Sequence, residues 1–233
     1  MNSLSDEDVG PEAGHRPGGA SRRWALYLRS LASMRDPVGL VALDLPWWAF
    51  AATSHVEAFL ARRGGAAVAF EYGPGASTVW LARRCARVAF VEHDARWWDT
   101  IHGLTAGLAN ARGALVEPVA AVPGAEACRS GRLGHRGYDY APYVEAIRSA
   151  GGPFDIVVID GRARAACLRE AIAHLAPDGI ILFDNSGRWR YRRPIAESGL
   201  AVQHFRGLTP AAPYPTQTSV LSVPKARGGQ REN

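Results

Sequence analysis

AFEYGPGASTVWLARR, residues 69–84, decides how this chain is read. An apolar run over 66–70 ends in Glu71. Gly73, Pro74 and Gly75 then form a turn, and Ser77 and Thr78 open a pattern of helical spacing. Glycines let a backbone approach a ligand closely, and a helix start presents free N–H groups. A strand running through such a turn into a helix is therefore where a doubly wound α/β domain receives a nucleotide-like ligand.

The same alternation continues outward. Strands are expected over 66–72, 87–92, 114–118, 154–160, 180–183, 201–205 and 216–223. Helices are expected over 77–85, 95–108, part of 138–150, 163–175 and 190–198. Pro177-Asp178-Gly179 closes the helix over 163–175, and a proline-rich loop, 207–215, joins the last two strands. The run FDIVVID fits a parallel strand buried on both faces. This order predicts an open, mostly parallel, Rossmann-like sheet ending in an antiparallel hairpin.

Ahead of the alternation, 24–34 reads as a short amphipathic helix. Pro46 suits the first turn of a second helix that runs to about 63. The chain divides into a polar tail (1–21) expected to be disordered, an N-terminal helical cap (22–64), a ligand-binding domain (65–224) and a second tail (225–233).

The composition, 47% hydrophobic and 21% charged over 233 residues, is that of a globular domain. The net charge is +5, and Lys225 is the only lysine among 27 basic residues. The arginines are scattered along the sequence, which argues against a nucleic-acid partner. Three cysteines at long spacing suggest neither a disulfide framework nor a zinc site, and point to the cytoplasm. Residues 46–60 are too short and too polar to span a membrane.

Glu92 closes the second strand, where a carboxylate can accept both hydroxyls of a ribose. That suits NAD and S-adenosylmethionine alike. Thr78 occupies the place of the third glycine of a dinucleotide fingerprint. Glu71, ahead of the turn, would repel a pyrophosphate and suit a ligand carrying an ammonium and a sulfonium. S-adenosylmethionine is therefore the expected cofactor. A NAD-dependent oxidoreductase and a non-catalytic S-adenosylmethionine-binding protein are the alternatives.

EYGPGAST followed by VEHD resembles motifs I and II of the class I S-adenosylmethionine-dependent methyltransferases. LPWW, FDIVVIDGRARAAC and LAPDGIILFDNS extend the resemblance over about 46–223, toward the small-molecule branch. It implies seven strands, the last antiparallel, with helices on both faces. It also implies Gly73 and Gly75 beside the methionine part of the cofactor with Glu71 nearby, and Glu92 on the ribose. Ser77, where many members have a third glycine, suits a helix cap. Ser77 and Asp160 are also expected to contact the cofactor.

Asp160, Asp184 and Asn185 end two neighbouring strands and should reach the same crevice. In one reading Asp160 is a general base or orients the acceptor, and Arg162, Arg164 or Arg188 steers an anionic substrate. In the other, Asp160, Asp184 and Asn185 hold magnesium, as in catechol O-methyltransferase, which they resemble. Asp160 can also simply cap the helix that follows. Trp48 and Tyr191 are candidate acceptor contacts. One of Trp47 and Trp48 could line the mouth of the site while the other packs on the core, but plain packing of both is the expectation. His93 reads as a surface residue near the adenine edge. The function expected is methyl transfer from S-adenosylmethionine to a small molecule, at a hydroxyl oxygen.

Overall fold

The structure is a computed structural model that describes residues 18–34, 36–124 and 128–224. The 225–233 tail and residues 1–17 of the first tail lie outside the described residues. Its centre is a seven-stranded sheet. Strands β1 (Val68–Tyr72), β2 (Arg87–Glu92) and β3 (Ala111–Leu115) form one half. A two-stranded ribbon, β4 (Val119–Ala120) and β5 (Tyr138–Asp139), comes next in the chain. The other half is β6 (Phe154–Ile159), β7 (Leu175–Phe183), β8 (Ala201–Gly207) and β9 (Thr216–Ser222). The order across the sheet is β3-β2-β1-β6-β7-β9-β8. β1 pairs in parallel with β2 and β6, and β6 in parallel with β7. β9 runs antiparallel between β7 and β8, so the last strand is antiparallel, as the sequence predicts.

Period-two alternation sends the central strands' side chains to two cores. Phe70, Tyr72, Val157, Ile159, Ile181 and Phe183 face one side. There they meet α6 (Ala141–Glu145), α7 (Arg164–Ile172) and α8 (Trp189–Ala196). Ala69, Ile156, Val158, Ile180 and Leu182 face the other side. That side is covered by α3 (Phe50–Arg62), α4 (Ala76–Ala82) and α5 (Ala95–Thr105). Helices on both faces explain why β6 is apolar at every buried position.

Several boundaries differ from the sequence reading, each for a tertiary reason. Pro177-Asp178-Gly179 lies inside β7 as an irregularity, with Asp178 at φ +58°. Leu175 already pairs with Phe154, and the register shifts before Ile156 meets Ile180. Pro46 does not open α3, which starts at Phe50. Its start is tied to the sheet instead: Ala49 N–H donates to Thr218 Oγ1 (3.2 Å), and Phe50 N–H to the Leu208 carbonyl (3.0 Å). The first helix, α1 (Gly18–Ser30), begins within the stretch read as tail. α2 (Pro37–Ala42) is capped by Asp36, whose carboxylate accepts from Val38 N (2.9 Å) and Gly39 N (3.2 Å).

These N-terminal helices lean on the β8–β9 loop. Tyr27 donates to the Ala212 carbonyl at 3.1 Å, and Ala211 N–H donates to buried Ser30 Oγ at 3.0 Å. Among the described residues no helix is long and apolar enough to cross a membrane.

Candidate functional site

The C-terminal ends of β1, β2, β6 and β7 converge, as expected of an open α/β sheet. Gly73 leaves β1 at φ +79°, a region that disfavours side chains. A Cβ there would lie 2.5 Å from Gly161 Cα and 2.6 Å from Gly161 N. The glycine turn is thus packed backbone against backbone on the end of β6. Gly73→Ala is expected to lower stability by about 2–4 kcal/mol through left-handed strain and overlap. Gly103→Ala in α5, where a Cβ meets open space, should raise it by about 0.5 kcal/mol. Urea unfolding of both variants checks the contrast, and equal shifts would contradict it.

Gly75 differs from Gly73. Its φ is −164°, and a Cβ would make ordinary contacts with Ser77 and Trp47. Its N–H donates to Thr78 Oγ1 at 3.0 Å. Trp97 of α5 steadies the turn by donating Nε1–H to the Pro74 carbonyl at 2.7 Å, and Trp47 stacks on Trp97 at 6.5 Å.

Glu71 lies under this turn. The alternation of β1 sends it to the α4 side, where it is fully buried. Ser77 Oγ donates to one carboxylate oxygen and Thr78 Oγ1 to the other, each at 2.5 Å. Burial pushes its pKa up to about 8, against the pull of the two hydroxyls. The sequence reading aims Glu71 at a cationic ligand. The structure turns it inward instead, because both oxygens are consumed by α4's first turn. Ser77 spends its hydroxyl in the same tie.

Glu92, at the end of β2, is 2% exposed. Its Oε1 accepts from His93 N (2.6 Å) and Asp94 N (2.8 Å), and Asp94 caps α5. No hydrogen bond reaches Oε2 among the described residues. His93 is not the surface residue expected. Its side chain is 10% exposed, and its ring lies 5.6 Å from that of Tyr143 and 5.7 Å from that of Tyr140. Among the described residues neither ring nitrogen has an aligned partner, although Nδ1 is 2.6 Å from Glu92 Oε1, and the buried Tyr143 hydroxyl also lacks one.

On the far side of the turn, Asp160 N–H donates to the Tyr72 carbonyl at 2.9 Å. Asp160 does not cap α7, whose N-cap is Ala163 at φ +48° without a side-chain bond. Its carboxylate binds Arg164 instead, at 2.6 Å. Arg164, 6% exposed, is the knot of this region. It donates to the carbonyls of Gly161 (3.0 Å), Asp160 (2.7 Å) and Asp184, and sits 3.9 Å from Asp184 Oδ2. Asp184 is 2% exposed and accepts from Thr218 Oγ1 at 2.8 Å and from the Asn185 amide. Burial, then the Asp160 charge, push Asp184 up to about 7. Asp160 is also raised by burial, against the pull of Arg164.

This arrangement does not fit magnesium. A metal bound by Asp160, Asp184 and Asn185 would need the space that the Arg164 guanidinium takes between the two carboxylates. Asn185 is spent on Asp184 and Arg188. Among the described residues, no other group of three acidic, histidine or cysteine side chains gathers.

Asp160, Arg162, Asn185, Arg188 and Tyr191, all singled out from the sequence, line one cavity of about 720 Å³. Asp184 does not reach it. Arg129, Arg132 and Arg190 line it as well and were missed. The first two sit in a glycine-broken stretch with no periodicity to place them. Trp48 is no acceptor contact: it is fully buried, edge-on to Trp80 at 5.6 Å. Trp47 is the tryptophan beside the turn.

The sequence matches no family model and no curated protein. Solved structures do match. One is a precorrin 8w decarboxylase from Methanobacterium thermoautotrophicum, with TM-score 0.51 and 19% identity over 77% of this chain and 94% of that one. Another is an rRNA methylase from Streptococcus thermophilus, with TM-score 0.50 and 10% identity over 73% of this chain and 95% of that one. The chain shares the fold of these two proteins, a Rossmann-like seven-stranded sheet with its last strand antiparallel, as the sequence reading expects. The antiparallel β9 between β7 and β8 departs from the 3-2-1-4-5-6 order of dinucleotide folds, which weighs against the NAD alternative.

Proposed function

We propose that the chain transfers a methyl group from S-adenosylmethionine to a hydroxyl oxygen of a small-molecule acceptor held beside Asp160. One observation carries this reading: the glycine turn and the arginine-lined cavity meet on the same two residues, Asp160 and Gly161. S-adenosylmethionine supplies an electrophilic methyl on a sulfonium, and the chain must hold it and align an acceptor.

The orphaned polar atoms fit such a ligand. Glu92 Oε2 is free to accept ribose hydroxyls, while Oε1 keeps the carboxylate anchored on the start of α5. His93 and Tyr143 offer buried polar atoms that lack partners among the described residues. Gly75 supports the reading for a different reason. Packing leaves room for a Cβ and its φ is ordinary, so a close-lying ligand accounts for glycine there. Glu71 acts at one remove, fixing α4 beneath the turn.

Asp160 is the group placed to take the acceptor's proton. It is 23% exposed, lines the cavity, and has its pKa raised by burial, in the direction that suits a general base. Arg164 fixes its orientation. Three free thiols, two of them buried, support a reducing compartment such as the cytoplasm.

Glu92→Ala is expected to weaken S-adenosylhomocysteine binding by about 2 kcal/mol, the worth of hydrogen bonds to a charged acceptor. Isothermal titration checks this, and unchanged affinity would remove Glu92 from the cofactor site. Asp160→Asn should abolish S-adenosylhomocysteine release across an acceptor panel while leaving its binding intact. Chelator should leave the wild-type rate unchanged.

A further inference from the structure

The acceptor cavity adjoins a second cleft of about 480 Å³, and the two share Asn185 and Arg188 as a common wall. Arginines line both. Arg129, Arg132, Arg162 and Arg190 belong to the first, and Arg192 and Arg206 to the second. Among the described residues Asp160 is the only acid lining either, and Arg164 already neutralises it. None of the six arginines just named makes an ion pair among the described residues. Elsewhere the chain does pair such groups, as in Arg63–Asp155, Arg84–Asp44 and Arg148–Glu170.

Arg162 is the clearest case. Its Nε is buried without a partner among the described residues. Burial and the like charges of Arg132 and Arg164 weaken its hold on its proton. Guanidinium groups gathered in a concave space repel one another until an anion enters, and their planar forks match phosphate and carboxylate oxygens. A cavity lined this way focuses a positive potential inward.

We propose that the methyl acceptor is a small polyanion, carrying two or more phosphate or carboxylate groups seated on the arginines of these two clefts. The proposal rests on the methyl-transfer reading for the word acceptor, and on the clefts themselves for the charge. The clefts have the volume of small-ligand sites. The arginines turn into concave walls, whereas a nucleic-acid backbone is followed by a basic stripe.

The test titrates the full chain with tripolyphosphate at low salt, with S-adenosylhomocysteine titrated in parallel. Wild type should bind tripolyphosphate. Arg132→Gln/Arg162→Gln should weaken that binding about tenfold or more and keep the affinity for S-adenosylhomocysteine. Arg188→Gln/Arg192→Gln, made of exposed residues, should do the same and keeps the test open if the first pair fails to fold.

Absence of tripolyphosphate binding, or binding unchanged in both variants, would overturn the proposal. So would a short single-stranded RNA that binds more tightly than tripolyphosphate in the same buffer, since it would assign the arginines to a polynucleotide. Failure of wild type to bind S-adenosylhomocysteine while binding tripolyphosphate would instead contradict the methyl-transfer reading and leave the anion site standing.

Discussion

Arg164→Met is expected to lower the unfolding free energy by about 3–5 kcal/mol, the usual penalty for removing one partner of a buried ionic group. The side chain is 6% exposed and ties together three carbonyls and two carboxylates. Methionine fills a comparable volume but donates nothing. The carbonyls of Asp160, Gly161 and Asp184 would lose a donor, and Asp160 and Asp184 would face each other without a cation between them. The variant should therefore recover stability as pH falls and the carboxylates take up protons. Arg164→Lys keeps a positive charge near Asp160 and loses the fork, so its loss should be intermediate. Urea unfolding checks both. A neutral Arg164→Met would mean that the aspartates are held by something else.

The second large effect is a pH dependence centred on Glu71. In the folded chain this carboxyl keeps its proton up to about pH 8, against an ordinary value of 4.5. The folded state then binds more protons than the unfolded state between those values. The stabilisation is fully present below about 4.5, declines as pH rises, and is lost above about 8. Asp184, raised from 3.8 to about 7, acts in the same direction over a lower window. Asp44 and Glu170, held below their ordinary values by arginines, act the other way, but only in acid.

Glu71 alone should therefore make the chain less stable at pH 8.5 than at pH 5.5 by about 3 kcal/mol, and Asp184 adds to that difference. Glu71→Gln can still bond to Ser77 and Thr78, so it should flatten most of that slope. Unfolding curves at three pH values compare the two proteins. Identical slopes would show that Glu71 is not the protonated group.

Much of this was legible because strand and helix periods are local. FDIVVID reads as a doubly buried strand, RVAFVE matches β2 end to end, and the glycine turn lies where β1 meets α4. The same locality explains the misses. Glu71 reads as ligand-facing because nothing within the turn reveals that Ser77 and Thr78 consume both its oxygens. Trp47 and Trp48 are indistinguishable in sequence, and only the packing of Trp80 decides that Trp48 is the buried one.

Pro177-Asp178-Gly179 carries turn chemistry that the pairing of β7 with β6 overrides. Arg164 reads as one of three arginines that could steer a substrate, yet its guanidinium is what makes a metal superfluous between Asp160 and Asp184. Arg129 and Arg132 come to the cavity from a stretch with no periodic signal at all.

In the proposed site the Gly73 turn and Glu92 together hold S-adenosylmethionine. Calorimetric titration of wild type, Gly75→Val and Glu92→Ala with S-adenosylhomocysteine, alongside NADH, tests it most directly. An added Cβ at Gly75 meets only ordinary contacts with Ser77 and Trp47 on an extended backbone. Wild type is predicted to bind S-adenosylhomocysteine in a 1:1 complex that both substitutions weaken about tenfold or more, with no heat from NADH. Binding of NADH in its place, or S-adenosylhomocysteine affinity untouched by both substitutions, would contradict the account.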